Sequence, residues 1–129
     1  MLLVDDDSTT NFLHKKLLLR LGVTDDIRVA LNGQQALHEV REHCREQLTD
    51  CPVLIFLDLN MPVMDGIQFL ETYQQLPAEE RRPIVVVMLT SSVSPRDQQR
   101  VKELPIADYL DKPLTQQQVE RVLAQHFAT

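Results

Sequence analysis

Two nearly uninterrupted apolar runs constrain the fold of this chain more than any other feature of its sequence. They are VLIFLD at 53–58 and IVVVML at 84–89, and the second is rich in β-branched residues. Short runs of this kind are typical of strands that are covered on both faces, as in a parallel sheet. We therefore expect two fully buried strands at the centre of an α/β fold.

The rest of the sequence alternates short apolar stretches with amphipathic stretches of helical length. Further strands are predicted at LLV (2–4), IRVA (27–30) and ADYL (107–110). A helical pattern follows each of the five strands, and these patterns begin near residues 8, 33, 66, 95 and 115. Five strands that are each followed by a helix predict a parallel sheet with helices on both faces.

Local signals mark the starts of several helices. Ser8 is a candidate N-cap of the first helix, and the pair Ser94-Pro95 places a cap and a proline at the start of the fourth. Thr115 and Gln118 form a capping-box pattern at the start of the fifth helix. The first helix is expected to carry an apolar set formed by Phe12, Leu13, Leu17, Leu18 and Leu21.

Composition narrows the class of protein. The 129 residues predict one domain over 1–129 with no additional DNA-binding or enzymatic domain, and the net charge of −6 disfavours a general nucleic-acid binder. The sequence shows no apolar stretch long enough to cross a membrane and no secretory signal. Cys44 and Cys51 form no metal-binding pattern, so we interpret them as thiols in a reducing, cytoplasmic compartment.

Polar residues follow four of the five predicted strands. Right-handed crossovers bring the carboxyl ends of parallel strands to one edge of the sheet, where open α/β sheets place their ligands. We therefore expect these residues to converge on one crevice: Asp5, Asp6 and Asp7 after the first strand, Asp58 after the third, Thr90 and Ser91 after the fourth, and Lys112 after the fifth.

This set of side chains suits phosphoryl transfer. Clustered carboxylates without histidine or cysteine ligands favour a hard divalent cation, above all Mg²⁺. A carboxylate can also act as a nucleophile and form an aspartyl-phosphate, whose charge an ammonium, a hydroxyl and the cation can neutralise. The residue types alone leave open which aspartate attacks.

One resemblance makes Asp5 the nucleophile. VDDDST at 4–9 fits the D-x-D-x-T opening of haloacid-dehalogenase-like phosphatases, with Asp7 as the acid/base and with Thr90 and Lys112 as later motifs. Those enzymes need a further acidic motif after the lysine, whereas the only acid beyond Lys112 is Glu120, inside the last predicted helix. This interpretation also assigns no role to FLDLNMPVMDG at 56–66.

A second resemblance covers roughly residues 1–127. VDDDST, FLDLNMPVMDG, VVMLTSS and YLDKPL occur in the order and at the strand ends where the receiver domain of bacterial two-component response regulators has its motifs. The chain is similar to the single-domain, chemotaxis-regulator-like members of that family. The resemblance implies a flavodoxin-like, doubly wound (βα)5 fold with strand order 2-1-3-4-5.

The resemblance implies a role for each residue at the sheet edge. Asp58 would accept a phosphoryl group from a phosphohistidine. Asp6 would bind Mg²⁺ directly and Asp5 chiefly through water, and Asp58 and the backbone carbonyl of Asn60 would complete the cation's ligands. The protein would thereby catalyse its own phosphorylation and its own dephosphorylation.

The same resemblance implies a switch. Thr90 would bind the phosphoryl group and Lys112 would pair with it, while Ser91 leaves room for the phosphate and Pro113 fixes the adjoining loop. Tyr109 occupies the position of the family's rotating aromatic residue. Phosphorylation would then change the surface formed by the fourth helix, the fifth strand and the fifth helix.

The implied partners are proteins. A sensor histidine kinase or a histidine phosphotransfer protein would supply the phosphoryl group, and a downstream protein would read the switched surface or receive the group. The protein itself is expected to be a monomer or a weak, phosphorylation-dependent dimer, and an adaptor that is never phosphorylated stays as an alternative.

The histidines, interpreted as solvated or core residues, are His14, His38, His43 and His126.

Overall fold

Strands and helices alternate along the chain, as the apolar pattern predicts. The structure is a computed structural model and describes residues 1–23, 27–44, 54–59, 61, 63–77, 84–90, 99, 106–112 and 114–126. The strands are β1 (Leu2–Val4), β2 (Arg28–Ala30), β3 (Leu54–Leu57), β4 (Val85–Thr90) and β5 (Asp108–Asp111). The helices of the described part are α1 (Ser8–Arg20), α2 (Gly33–Cys44), α3 (Gly66–Gln74) and α4 (Gln116–His126). Helix α4 corresponds to the fifth predicted helix.

All five strands are parallel and form one sheet in the order β2-β1-β3-β4-β5. This confirms the predicted strand order. Hydrogen bonds carry the ladder one step past the strand ends, since the N–H of Asp5 donates to Ala30 O at 3.1 Å and the N–H of Asp58 donates to Val4 O at 2.9 Å. The register therefore sets both aspartates side by side at the carboxyl edge of the sheet.

Apolar residues cover both faces of the sheet, as a parallel sheet requires. On one face Ile55 and Leu57 of β3 belong to a buried cluster with residues of α2 and α3, including Val40 and Phe69. Leu54 and Phe56, which alternate with them, belong to a second cluster on the other face. That cluster includes Leu18 of α1 and Val122 of α4. Burial on both sides explains why the β3 sequence is apolar without alternation.

Some predictions lie outside the described residues. The fourth predicted helix, at about 95–104, is among them except for Gln99, which is helical. Cys51 also lies outside, and Cys44 ends α2. Within the described part of the chain, no helix is both long and apolar enough to cross a bilayer.

Helix α1 differs from its prediction in both its cap and its buried face. Its N-cap is Asp7 rather than Ser8, because the Asp7 carboxylate accepts the N–H groups of the first turn. Phe12 and Leu13 are 64% and 56% exposed, so the predicted apolar set was wrong for these two residues. Leu18 of the predicted set is buried, and the other two buried residues of α1 are the polar Asn11 and His14, whose spacing with Leu18 places all three on one helical face.

The segment between β3 and α3 is held in an unusual backbone conformation. Val63 has φ 69°, in the left-handed region that β-branched residues rarely adopt, and its side chain is 76% exposed. Its neighbours fix it there, since the N–H of Gly33 donates to Met64 O at 2.7 Å and Asp65 caps α3 in a capping box with Gln68. Contacts on its C-terminal side thus impose the strain at Val63.

Relieving this strain is expected to stabilise the protein. Val63→Asn and Val63→Gly should each raise the free energy of unfolding by about 0.5–1 kcal/mol, because the left-handed conformation costs an ordinary residue roughly 1–2 kcal/mol, of which the greater freedom of the unfolded glycine chain cancels a part. Urea unfolding followed by circular dichroism measures the change, since the chain has no tryptophan. Val63→Ala is the control: it removes the exposed side chain but keeps the strain, and an equal gain there would contradict the explanation.

Candidate functional site

Three carboxylates meet at the carboxyl edge of the sheet. Asp5 and Asp6 follow β1 and Asp58 follows β3, and one oxygen of each lies within 4.8 Å of the others. Asp5 is only 4% exposed and Asp58 only 5%, whereas Asp6 is exposed. Like charges this close in a poorly solvated place repel strongly, so the folded protein must compensate them.

Lys112, just after β5, provides part of that compensation. Its ammonium forms an ion pair with Asp5 Oδ2 and lies 3.3 Å from Asp58 Oδ1. The Asp5 carboxylate also accepts the N–H of Asp7 at 2.9 Å. Asp5, Asp58 and Lys112 are far apart in the sequence, and in the structure they lie close together, as predicted.

The charges in the site shift one another's ionisation. Burial and the nearby Asp5 charge raise the pKa of Asp58 to about 6, although Lys112 acts in the opposite direction. Burial alone would lower the pKa of Lys112, but its hydrogen bond with Asp5 and the charges of Asp58 and Asp5 raise it above its ordinary value. The net effect of the site is therefore to disfavour the charged form of Asp58.

Asp7, third in the acidic triplet, is used differently. Its carboxylate accepts the N–H of Thr9 at 2.9 Å and the hydroxyl of Thr10 at 3.0 Å, and it faces solvent. The hydrogen bonds with Thr10 and Thr9 lower the pKa of Asp7. A carboxylate held ionised as a helix cap is unsuited to the acid/base role that the phosphatase interpretation requires.

Helix α3 approaches Asp58 so closely that only glycine fits. A Cβ at Gly66 would lie 2.5 Å from the carbonyl oxygen of Asp58, and the N–H of Gly66 donates to Leu59 O at 3.0 Å. In the sequence, Gly66 stands out only as the last residue of FLDLNMPVMDG and the first of the third predicted helix. The Asp65–Gln68 capping pattern was the signal that the first turn of α3 begins here, beside the end of β3.

The remaining predicted site residues are described to different extents. Thr90 ends β4 in register with Asp111 of β5, and nothing is described of its side chain. Tyr109 lies on β5, is half-buried and packs against the apolar cluster of β3, α2 and α3. The predictions that fall outside the described residues are those for Asn60, Ser91 and Pro113.

Sequence reasoning did not connect two buried polar residues of α1 to this site. Asn11 Nδ2 donates to the backbone oxygen of Asp5 at 2.8 Å, and His14 Nε2 accepts the N–H of Leu114 at 3.3 Å. Their spacing with Leu18 was the available signal, because residues 11, 14 and 18 share a helix face.

The donor set fits a hard divalent cation. Three carboxylates supply oxygen ligands close together at an accessible edge, with one of the three exposed. Mg²⁺ prefers such ligands and keeps several of its waters, so it does not require a closed protein cage. The residues that would hold it are Asp5, Asp6 and Asp58.

Replacing Asp58 with asparagine is expected to stabilise the protein when divalent cations are chelated. Folding raises the pKa of Asp58 from 3.8 to about 6, so stability present at acidic pH is lost as the pH rises through this window and the group ionises. The Asp58→Asn variant avoids that loss. Its free energy of unfolding should exceed that of the wild type by about 1–3 kcal/mol at pH 7.5, as urea unfolding with EDTA would measure.

The pH dependence and a matched variant check this explanation. The difference between Asp58→Asn and the wild type should vanish at about pH 3, below both pKa values, where the carboxyl group is mostly protonated in both states. Asp7→Asn is the control and should bring no gain at neutral pH, because folding lowers the pKa of Asp7. A pH-independent gain for Asp58→Asn would mean that charge burial is not its cause.

Known proteins share this sequence pattern and this architecture. The family model of the response regulator receiver domain matches residues 1–124. Two-component response regulator 24 of Arabidopsis thaliana is 32% identical over 114 residues, which are 88% of this chain and 73% of that protein. A sensor histidine kinase of Helicobacter pylori is 30% identical over 113 residues, 88% of this chain but 13% of the kinase.

A solved structure agrees with the sequence comparisons. The two-component response regulator of Cytophaga hutchinsonii superimposes with a TM-score of 0.85 at 26% identity, covering 99% of this chain and 96% of that one. The family model spans nearly all of the chain and includes Asp5, Asp6, Asp58 and Lys112. The chain therefore belongs to the receiver-domain family of two-component response regulators.

Proposed function

We propose that Asp58 accepts a phosphoryl group from a phosphohistidine, with Asp5, Asp6 and Lys112 preparing the site. The observation that carries this proposal is the placement of Asp58. Its carboxylate is buried at the end of β3, within 4.8 Å of the other two carboxylates and 3.3 Å from the Lys112 ammonium. This arrangement provides a nucleophile, a set of cation ligands and a fixed positive charge in one place.

Asp58 suits the nucleophilic role better than Asp5 does. The Asp5 carboxylate is engaged by the ion pair with Lys112 and by the N–H of Asp7. Asp7, which would be the acid/base if Asp5 attacked, caps α1. The haloacid-dehalogenase-like alternative therefore lacks its second catalyst.

In the proposed reaction, a carboxylate oxygen of Asp58 attacks the phosphorus in line with the histidine nitrogen. A phosphorus–oxygen bond forms, the phosphorus–nitrogen bond breaks, and the imidazole leaves with the electron pair and takes up a proton from solvent. Lys112 remains beside the new acyl phosphate and pairs with its oxygens, as it pairs with Asp58 beforehand. Bound Mg²⁺ supplies charge neutralisation to the phosphoryl oxygens.

The phosphoryl group is then proposed to act on the two neighbouring strands, β4 and β5. Thr90 ends β4, the strand next to β3, and its hydroxyl is proposed to bind the phosphoryl oxygens. Tyr109 pairs in register with Met88 on the neighbouring strand and is half-buried. A movement of Thr90 towards Asp58 is proposed to let Tyr109 turn inward, which changes the surface around β5 and the helices on either side of it in sequence.

The proposed partners are a histidine kinase or phosphotransfer protein as donor and a protein that reads the switched surface. The similarity to a segment of a protein named as a sensor histidine kinase supports the donor class. A cytoplasmic location and a monomeric or weakly dimerising state belong to the same proposal. The surface next to Asp58 is thus a place of transient protein contact.

Phosphorylation by a small donor tests the nucleophile directly. Incubation with acetyl phosphate and Mg²⁺, followed by intact-mass measurement, is expected to give a single phosphoryl adduct that EDTA prevents. Asp58→Asn should abolish the adduct because it removes the attacking carboxylate. Asp5→Asn should still form the adduct, more slowly, because Asp58 is intact while one cation ligand is lost.

Two other outcomes would contradict the proposal in different ways. An adduct that disappears in Asp5→Asn but survives in Asp58→Asn would support a phosphatase that uses Asp5. A complete absence of Mg²⁺-dependent adduct would support an adaptor that is not phosphorylated. Asp7→Asn serves as the matched surface control and should be phosphorylated at the wild-type rate, since asparagine also caps helices well.

A further inference from the structure

A buried histidine ties α1 to the loop that carries Lys112. His14 is 5% exposed on the face of α1 that packs on the sheet. Its Nε2 accepts the N–H of Leu114 at 3.3 Å, although the two residues are 100 positions apart. This contact therefore fastens the segment after β5 to a helix at the other end of the sequence.

Leu114 is well placed to control where Lys112 lies. It follows Lys112 by two positions and directly precedes Thr115, whose hydroxyl and N–H form a capping box with Gln118 at the start of α4. The Leu114 side chain is buried in the cluster that includes Leu18 of α1. The helix cap at Thr115 and the buried Leu114 side chain thus hold the loop that follows Lys112. His14 adds a hydrogen bond to the backbone N–H of Leu114.

This hydrogen bond requires a neutral His14 ring, because a ring nitrogen that carries a proton cannot accept one. Burial lowers the pKa of His14, Asp5 opposes that change and Lys112 adds to it. A neutral ring that accepts at Nε2 carries its proton on Nδ1. The N–H of Leu114 is buried, so leaving it without an acceptor would lower the free energy of unfolding.

The same side chain lies directly behind the carboxylates. His14 and Asn11 share with Asp5 and Asp58 the lining of a cavity of about 10 Å³ between α1 and the sheet. That volume leaves little room for the side chains to shift without moving one another. The ring thus supports the site both through the Leu114 backbone and by filling the space behind Asp5.

We propose that His14 is a positioning residue: by accepting the N–H of Leu114 it holds the loop so that the Lys112 ammonium lies between Asp5 and Asp58. Its effect on phosphorylation rests on the function proposed above, because Lys112 acts there on the phosphoryl group of Asp58. Its effect on the loop does not.

Two substitutions separate the hydrogen bond from the packing. His14→Leu fills a similar space but has no acceptor, and should lower the rate of phosphorylation by acetyl phosphate and saturating Mg²⁺ about tenfold. His14→Gln retains an acceptor oxygen on a side chain of similar reach and should stay within about twofold of the wild type. His38→Leu, the same change at an exposed position of α2, is the control and should have no effect.

A double-mutant cycle tests whether His14 acts through Lys112. In a Lys112→Gln background, His14→Leu should cause no further loss of rate, since the ammonium it positions is absent. An undiminished loss in that background would overturn the proposal, as would a wild-type rate for folded His14→Leu. Failure of His14→Gln to restore the rate would also count against it.

The proposal remains testable if the wild type forms no adduct and the proposed function fails. Urea unfolding of the wild type, the two single variants and the double variant then tests the positioning of Lys112. Lys112→Gln should shift the urea midpoint less in the His14→Leu background than in the wild type, because the ion pairs of Lys112 are already weakened there. Equal shifts in both backgrounds would show that His14 does not position Lys112.

Discussion

The ammonium of Lys112 lies between two buried carboxylates, and the rest of the site depends on that placement. Asp5 and Asp58 are brought together by the register of β1 and β3 at a sheet edge where water screens their charges poorly. One cation near both makes the pair tolerable, yet it leaves Asp58 with a raised pKa. A divalent cation, and later a phosphoryl group, would each enter an electrostatic arrangement that is only partly balanced.

The scaffold fixes this arrangement by contacts of the backbone. Gly66 allows α3 to approach the carbonyl of Asp58, and Gly33 allows α2 to approach the loop before α3. Asp7 starts α1 directly after the acidic pair, so the chain turns away from the site at once. These close approaches fix the backbone that carries Asp58, and the strain at Val63 arises in the loop between β3 and α3. Preorganisation of this kind is what electrostatic catalysis requires.

The sequence was sufficient for the sheet and for the meeting of Asp5, Asp58 and Lys112 at its edge, because uninterrupted apolar runs predict buried strands and parallel strands place their carboxyl ends together. It was insufficient for the buried face of α1. Phe12 and Leu13 look like core residues, whereas Asn11 and His14 are buried because Asp5 and Leu114 supply hydrogen bonds that exist only in the folded chain. The conformation of Val63 was equally hidden, since valine gives no local signal for a left-handed backbone.

The residues of the site are spread along the sequence, so the site is complete only when folding is complete. β1 and β3 are neighbours within the sheet, whereas Lys112 follows β5, the outermost strand on the β4 side and the last strand in the sequence. Closing such long loops is the slow, entropically costly part of assembling a parallel sheet. A partly folded or nascent chain therefore lacks the ammonium beside Asp58 until its last strand has docked. Under the proposed function, Asp58 would then accept a phosphoryl group only in a chain whose sheet is complete.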